Sequence, residues 1–207
     1  MNFYFIKMRI KKMKEFWRIF SVIFHPLSVT LYNAILVSFA VNNGFDPFST
    51  TIALFIVIIM PVTTLILLKK FKVISDYDIS DKKERKNPLL FFVISGVLSI
   101  QFVMIILMLR ESLYLILYFL LVIIYLLSFT FARTIKLSAH IAVLVANIIF
   151  AAVFFRWELL ILFLLVPLMF FSRLKLKRHV LKECFAGLVL GLFSFIPLIL
   201  LRLVFEK

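Results

Sequence analysis

The chain has 207 residues, 64% of them hydrophobic and only 16% charged, with four glycines and six prolines and a mean hydropathy of +1.14. An ordinary globular domain is about half apolar and about a quarter charged, so a water-soluble domain is excluded. The apolar residues form runs of roughly twenty, the length that crosses the hydrocarbon core of a bilayer, and the runs lack the polar/apolar alternation of barrel strands, which leaves an all-α, polytopic transmembrane bundle.

In chain order, residues 2–20 come first. Ile6, Ile10, Met13, Trp17 and Phe20 recur at helical spacing among Lys7, Arg9, Lys11, Lys12, Lys14 and Arg18, which predicts an interfacial amphipathic helix over residues 1–20. No small-residue cleavage site follows, so this segment is not expected to be a signal peptide. Residues 21–207 then read as one transmembrane domain of six to seven spans, near 23–42, 50–68, 88–109, 113–131, 139–155, 157–171 and 183–204. The stretch 157–171 is the short one, covering roughly 22 Å as an α-helix. It must be lengthened by its flanks or sit where the membrane is thin. The single cysteine, Cys184, excludes an internal disulfide and a cysteine metal cage.

Assigned alternately to two sides, the loops separate by charge. The N-terminus and the loops 69–87, 132–138 and 172–182 hold 20 of the 24 Lys and Arg. The net charge of +14, which in a soluble chain would point to nucleic acid, is here a topology and headgroup signal: the positive-inside rule puts that side in the cytoplasm. Two spans separate the first of these loops from the second and two separate the second from the third, so all three are expected to meet at one membrane boundary.

Nearly every polar group suited to chemistry lies in those loops. All three histidines, His25, His140 and His179, stand at the head of a span on that side. His25 precedes Pro26, which makes it a packing or interface residue by preference. The loop Ser75 to Pro88 mixes acids and bases before a helix start; Asn87 and Pro88 suit the N-cap and first turn, and Lys82 and Arg85 share a face if their segment is helical. In Lys136-Leu137-Ser138-Ala139-His140, a lysine, a hydroxyl and an imidazole recur at every second residue. On an extended approach to a helix they point the same way. Ser138 suits the N-cap of that helix, with the positive end of the dipole beside His140. In the third loop, His179 and Glu183 are four apart and share a face on a helix, so the carboxylate accepts the imidazole N–H and raises the basicity of the other ring nitrogen. Gly187 and Gly191 continue the stripe and permit close approach of a neighbouring helix. Arginine and lysine around a carboxylate-backed histidine form a phosphate cradle with a nucleophile in it.

Ser172-Arg173, five residues, His179, three residues, Glu183 resembles the third signature of the type 2 phosphatidic acid phosphatase superfamily, S-R-x5-H-x3-D. Ser138-Ala139-His140 resembles its second, P-S-G-H, with Leu137 and Ala139 in place of the proline and glycine. Lys82 to Pro88 resembles its first, K-x6-R-P, at shorter spacing. The resemblance covers roughly residues 72–191. It implies His179 as nucleophile of a phosphohistidine, Glu183 as its orienting carboxylate and His140 as general acid for the leaving alcohol. Arg173, Ser138 and the Lys82/Arg85 region would hold the phosphate oxygens, to which spacing adds Lys136. It implies no metal and no cofactor.

The function expected is hydrolysis of a lipid phosphate monoester or diphosphate. Two other classes use the same residues. Asp76, Asp78 and Asp81 invite a magnesium-dependent prenyltransferase, although their spacing does not match its aspartate motifs. A carrier that binds or flips a polyprenyl phosphate or another anionic lipid would need the cations without the catalysis.

Overall fold

The structure is a computed structural model that describes residues 3–41, 46–77, 79, 81–85, 87–106, 113, 115–120, 122–123 and 137–205. The described residues are mainly helical, with no strand among them. Helix α1 runs over Phe3–Ile23 and α2 over Pro26–Val41, so the first helix continues past the expected end at residue 20. Phe24 and His25 break the ladder ahead of Pro26, and the two axes differ by 44°. Asp46 caps α3 by accepting from the N–H groups of Phe48 and Ser49. Bonds from Ser49 hold this carboxyl below its ordinary pKa.

Helix α3 comprises Pro47–Leu54, a π turn at Phe55–Ile59 and Met60–Lys70. The π turn has a cause in the sequence. Pro61 has no N–H and its ring collides with the carbonyl four residues back, and the ladder answers by sending the Met60 N–H to Phe55 O, five residues away. Ile56 O then loses both candidate donors, Met60 and Pro61. Gln101 supplies the replacement across the bundle, its Nε2 donating to Ile56 O at 2.6 Å.

Gln101 belongs to α5, Pro88–Met104, which follows the single turn α4 at Lys82–Arg85. Helix α6, Ala139–Phe154, has fourteen consecutive buried residues, His140 to Val153. A helix apolar on all sides must be enclosed by protein or lipid; here α2, α7, α8 and α9 enclose it. One polar clamp registers it against α2: Asn33 Nδ2 donates to both Asn147 O and Asn147 Oδ1, at 2.9 and 2.8 Å, and the Asn147 amide donates in turn to Val143 O.

Helix α7 opens as a 3₁₀ helix, Trp157–Leu164, and continues as an α-helix over Leu165–Lys175. The 3₁₀ rise of about 2.0 Å per residue, with four further residues at the C-terminal end, stretches this segment to roughly 30 Å. The expected short span is thus lengthened, by its C-terminal flank and by its winding together. Helices α8, Leu181–Phe193, and α9, Phe195–Phe205, meet at Ser194, whose hydroxyl donates to Gly191 O; Pro197 prevents a regular ladder there.

Among the described residues, two helices are long and apolar enough to cross a membrane, Trp157–Lys175 and Leu181–Leu203, and a third is added if the bent pair Lys12–Ile23 and Pro26–Ala40 counts as one span. Val93–Met104 and Ala139–Phe154 are apolar but shorter, and most of the expected stretch 113–131 lies outside the described residues.

Where α8 crosses α6, the glycines leave no room for a side chain. A Cβ on Gly187 would stand 2.5 Å from Ser138 O, and one on Gly191 would stand 2.7 Å from Val145 Cβ and 2.8 Å from Ala142 O. Small residues at such a crossing let the backbones touch. The expected close approach is therefore made, and α6 is the helix that makes it.

Two outcomes are expected from unfolding measurements in detergent. Gly187→Ala and Gly191→Ala each destabilise by about 1–3 kcal/mol, the cost of overpacking a tight contact, while Gly96→Ala, with nothing within 4 Å of the added Cβ, is neutral or stabilising by up to about 1 kcal/mol. Gln101→Leu costs about 1–2 kcal/mol in the wild-type background by stranding Ile56 O, and less in Pro61→Ala, where a backbone N–H returns. Additive effects in that double-mutant cycle would contradict the origin given for the π turn.

Candidate functional site

The start of α8 builds the site's centre. Val180 is its N-cap, with Glu183 at the third helical position, so His179 lies just ahead of the helix instead of on its face as expected. The pair still meets, because Glu183 folds back toward the N-terminus. Its Oε2 lies 2.9 Å from His179 Nδ1 and also accepts from Val180 N at 3.3 Å. The His179 side chain is buried, at 5% exposure, and that of Glu183 is largely covered, at 12%. A carboxylate only accepts, so Nδ1 carries a proton, and in the neutral ring Nε2 keeps its lone pair.

Helix α6 enters at the same place. The Ser138 N–H donates to Glu183 O at 3.1 Å, joining the second loop to the third through the residue that braces His179. Ser138 is the N-cap of α6, as expected, but its hydroxyl makes no capping bond; it is fully buried and its Oγ has no hydrogen-bond partner. His140 follows in the first turn, also buried. The charges of Arg173, His25, His179 and Arg178 all reach it.

Arg173, on the last turn of α7, is 2% exposed. Its Nη1 donates to Ser21 Oγ at 2.8 Å, and the adjacent Ser172 Oγ donates to Trp17 O at 3.0 Å. These bonds tie the end of α7 to α1, with Trp17 and Phe171 packed ring against ring, centroids 6.4 Å apart. A buried guanidinium is costly without hydrogen-bonded or ionic partners, and an anion entering this end of the bundle would meet it together with two imidazoles.

The first loop joins less closely. Asp76 Oδ2 is 3.9 Å from Arg178 Nη1, Ser75 N donates to Glu84 Oε1, and Asp81 Oδ1 accepts from Lys83 N. Asp76 and Asp81 thus take an ion-pair role and a turn role. The backbone of Lys82–Arg85 is helical, as the shared-face reading requires, but the side chains of Lys82 and Arg85, with all of Lys136 and Asp78, lie outside the described residues.

Sequence reasoning gave His25 too little weight. Its ring stands edge-on to His140, centroids 5.0 Å apart and planes at 90°, and its Nδ1 accepts from Leu27 N at the start of α2. The cap role was legible in His25-Pro26; the partner, 115 residues away, was not. Both rings border a cavity of about 190 Å³.

Compared with family models, curated proteins and solved structures, the chain finds no match in any of the three.

Histidine ring ¹⁵N shifts test the dyad directly. His179 is expected as the Nδ1–H tautomer in the wild type and as a tautomer mixture in Glu183→Ala; a dominant Nε2–H form in the wild type would contradict the arrangement. Ser138→Ala, which removes a buried hydroxyl with no partner, is expected to be neutral or stabilising by up to about 1 kcal/mol, whereas Ser172→Ala costs about 1 kcal/mol.

Proposed function

We propose that the protein is an integral membrane lipid phosphatase that hydrolyses a lipid phosphate monoester or diphosphate through a phosphohistidine. The observation that carries the proposal is the part-buried His179–Glu183 pair at 2.9 Å, bonded through Glu183 O to the segment that bears Ser138 and His140. The motif spacing that resembles the type 2 phosphatidic acid phosphatases supports the same chemistry from the sequence.

In this mechanism His179 Nε2 attacks phosphorus, the ester P–O bond breaks, and His140 gives a proton to the departing alkoxide. Water then attacks the phosphohistidine, His140 takes back a proton, and inorganic phosphate leaves with His179 regenerated. Glu183 holds the tautomer that makes Nε2 the nucleophile. Arg173, Ser138 and, from the segments whose side chains are not described, Lys136, Lys82 and Arg85 balance the charge on the phosphoryl oxygens. The reaction requires no metal.

The same reading carries the finer topology: six to seven spans, an interfacial helix at the N-terminus, and the motif loops on the cytoplasmic side by charge bias. Carrier function without catalysis is the competing outcome.

The test is phosphate release by purified protein from a panel of lipid phosphates with chelator present. Wild type is expected to turn over in chelator. His140→Ala should lose about 10²–10⁴-fold, the usual worth of a positioned acid, and His179→Ala should lose all turnover above background. Glu183→Ala should fall between wild type and His179→Ala. Turnover abolished by chelator would point to metal chemistry, and binding without release, unaffected by His179→Ala, would leave a carrier.

A further inference from the structure

The cavity of about 190 Å³ beside His140 differs in chemistry from the dyad next to it. Its walls are Leu27 and Thr30 of α2, Ile56, Leu65 and Leu68 of α3, and Ile94, Val97 and Leu98 of α5, with Tyr118 and the loop residues Tyr77 and Ile79. The polar side chains within these helices are already committed. Thr30 Oγ1 donates to Pro26 O at 2.8 Å, Thr64 Oγ1 to Met60 O at 2.9 Å and Gln101 Nε2 to Ile56 O at 2.6 Å, while the Tyr118 hydroxyl donates to Leu98 O. Each bond satisfies a backbone carbonyl of the wall, so the deep surface gives a polar ligand little to bind. At one end the character reverses: His25 and His140 stand there ring to ring, and His140 is within electrostatic reach of Arg173 and His179. Arg173 and His179 do not line the cavity. His140 is therefore the residue shared by an apolar chamber and a cationic centre.

The geometry points to a chain-binding subsite: the cavity between α2, α3 and α5 takes one hydrocarbon chain of the lipid phosphate, its ester end directed at His140 and its headgroup at the dyad. The inference rests on the lipid phosphatase reading for the chemistry at the imidazole end. Size favours a single chain. An apolar cavity of about 150 Å³ holds one benzene, so this one takes the first several carbons of one chain and has no room for two side by side. Such a site selects by shape, because bilayer lipid is as apolar as the wall and the hydrophobic effect scarcely distinguishes them. The orphaned carbonyl that fastens Gln101 to Ile56 also acquires a consequence, since it fixes α3 against α5 along the chamber.

The experiment uses the full-length protein in detergent and non-hydrolysable probes, methylphosphonate and decylphosphonate, titrated by calorimetry. Val97→Phe and Leu65→Phe fill the cavity from opposite walls, and a cooperative melting transition in either suffices to show that it folds. The wild type is expected to bind decylphosphonate at least tenfold more tightly than methylphosphonate, and the ratio of the two affinities is expected to fall at least fivefold in the variants. A wild-type ratio near one, or a ratio unchanged in a folded variant, overturns the subsite. Phosphate release from decyl phosphate, measured in parallel, tests the phosphatase reading separately: release without a chain-dependent ratio sinks the subsite alone, and a chain-dependent ratio without release sinks the phosphatase reading alone.

Discussion

The bond from Ser138 N to Glu183 O is the contact on which the organisation of this end of the bundle depends. Glu183 is held from two directions: its backbone carbonyl receives the start of α6, and its side chain braces His179 across the N-cap of α8. The bond can form only because α6 and α8 touch along Gly187 and Gly191, where a methyl group would stand under 3 Å from the facing helix. Packing of two helices thus fixes, within a few ångströms, where His140 stands relative to the dyad. The arrangement of these polar groups is a consequence of backbone approach, and the small residues are as much a part of it as the imidazoles.

A second constraint runs through unsatisfied backbone. In an apolar surrounding every carbonyl without a donor is expensive, and this chain brings side chains from elsewhere in sequence to several backbone carbonyls, one such defect among them. Gln101 answers the one that Pro61 makes in α3. Asn33 reaches Asn147 O, and Arg202 donates to Val153 O at the C-terminal end of α6, where cations also suit the helix dipole. These bonds tie α2 and α9 to α6, and α5 to α3. The Ser138 hydroxyl departs from the pattern, being buried with no hydrogen-bond partner, and it lies beside His140.

Much of the site was legible because its residues are close in sequence or fall on a helical repeat. Ser172, Arg173, His179 and Glu183 lie within twelve positions, and their spacing survives even though His179 sits ahead of the helix, since a third-position glutamate turns back to the residues before it. His25 was not legible. Its local context describes a cap, and only the tertiary fold brings its ring to His140. The span count was harder for a related reason. Hydropathy reports that α6 is apolar but not whether lipid or protein surrounds it, and α6 proves to be the enclosed one. Nor does composition announce a 3₁₀ start, so the stretch from Trp157 looked too short for a length it reaches by its winding together with four further residues.

In the proposed mechanism His179 is the nucleophile, and its surroundings serve to present Nε2 to phosphorus. Rapid acid-free quenching of wild type with a ³²P-labelled lipid phosphate, followed by peptide mapping, tests that claim most directly. Acid-labile, base-stable label on the peptide containing His179 in the wild type, absent from His179→Ala with Glu183 intact, is the predicted result. Labelled inorganic phosphate formed at full rate with no protein-bound label under any quench would contradict it.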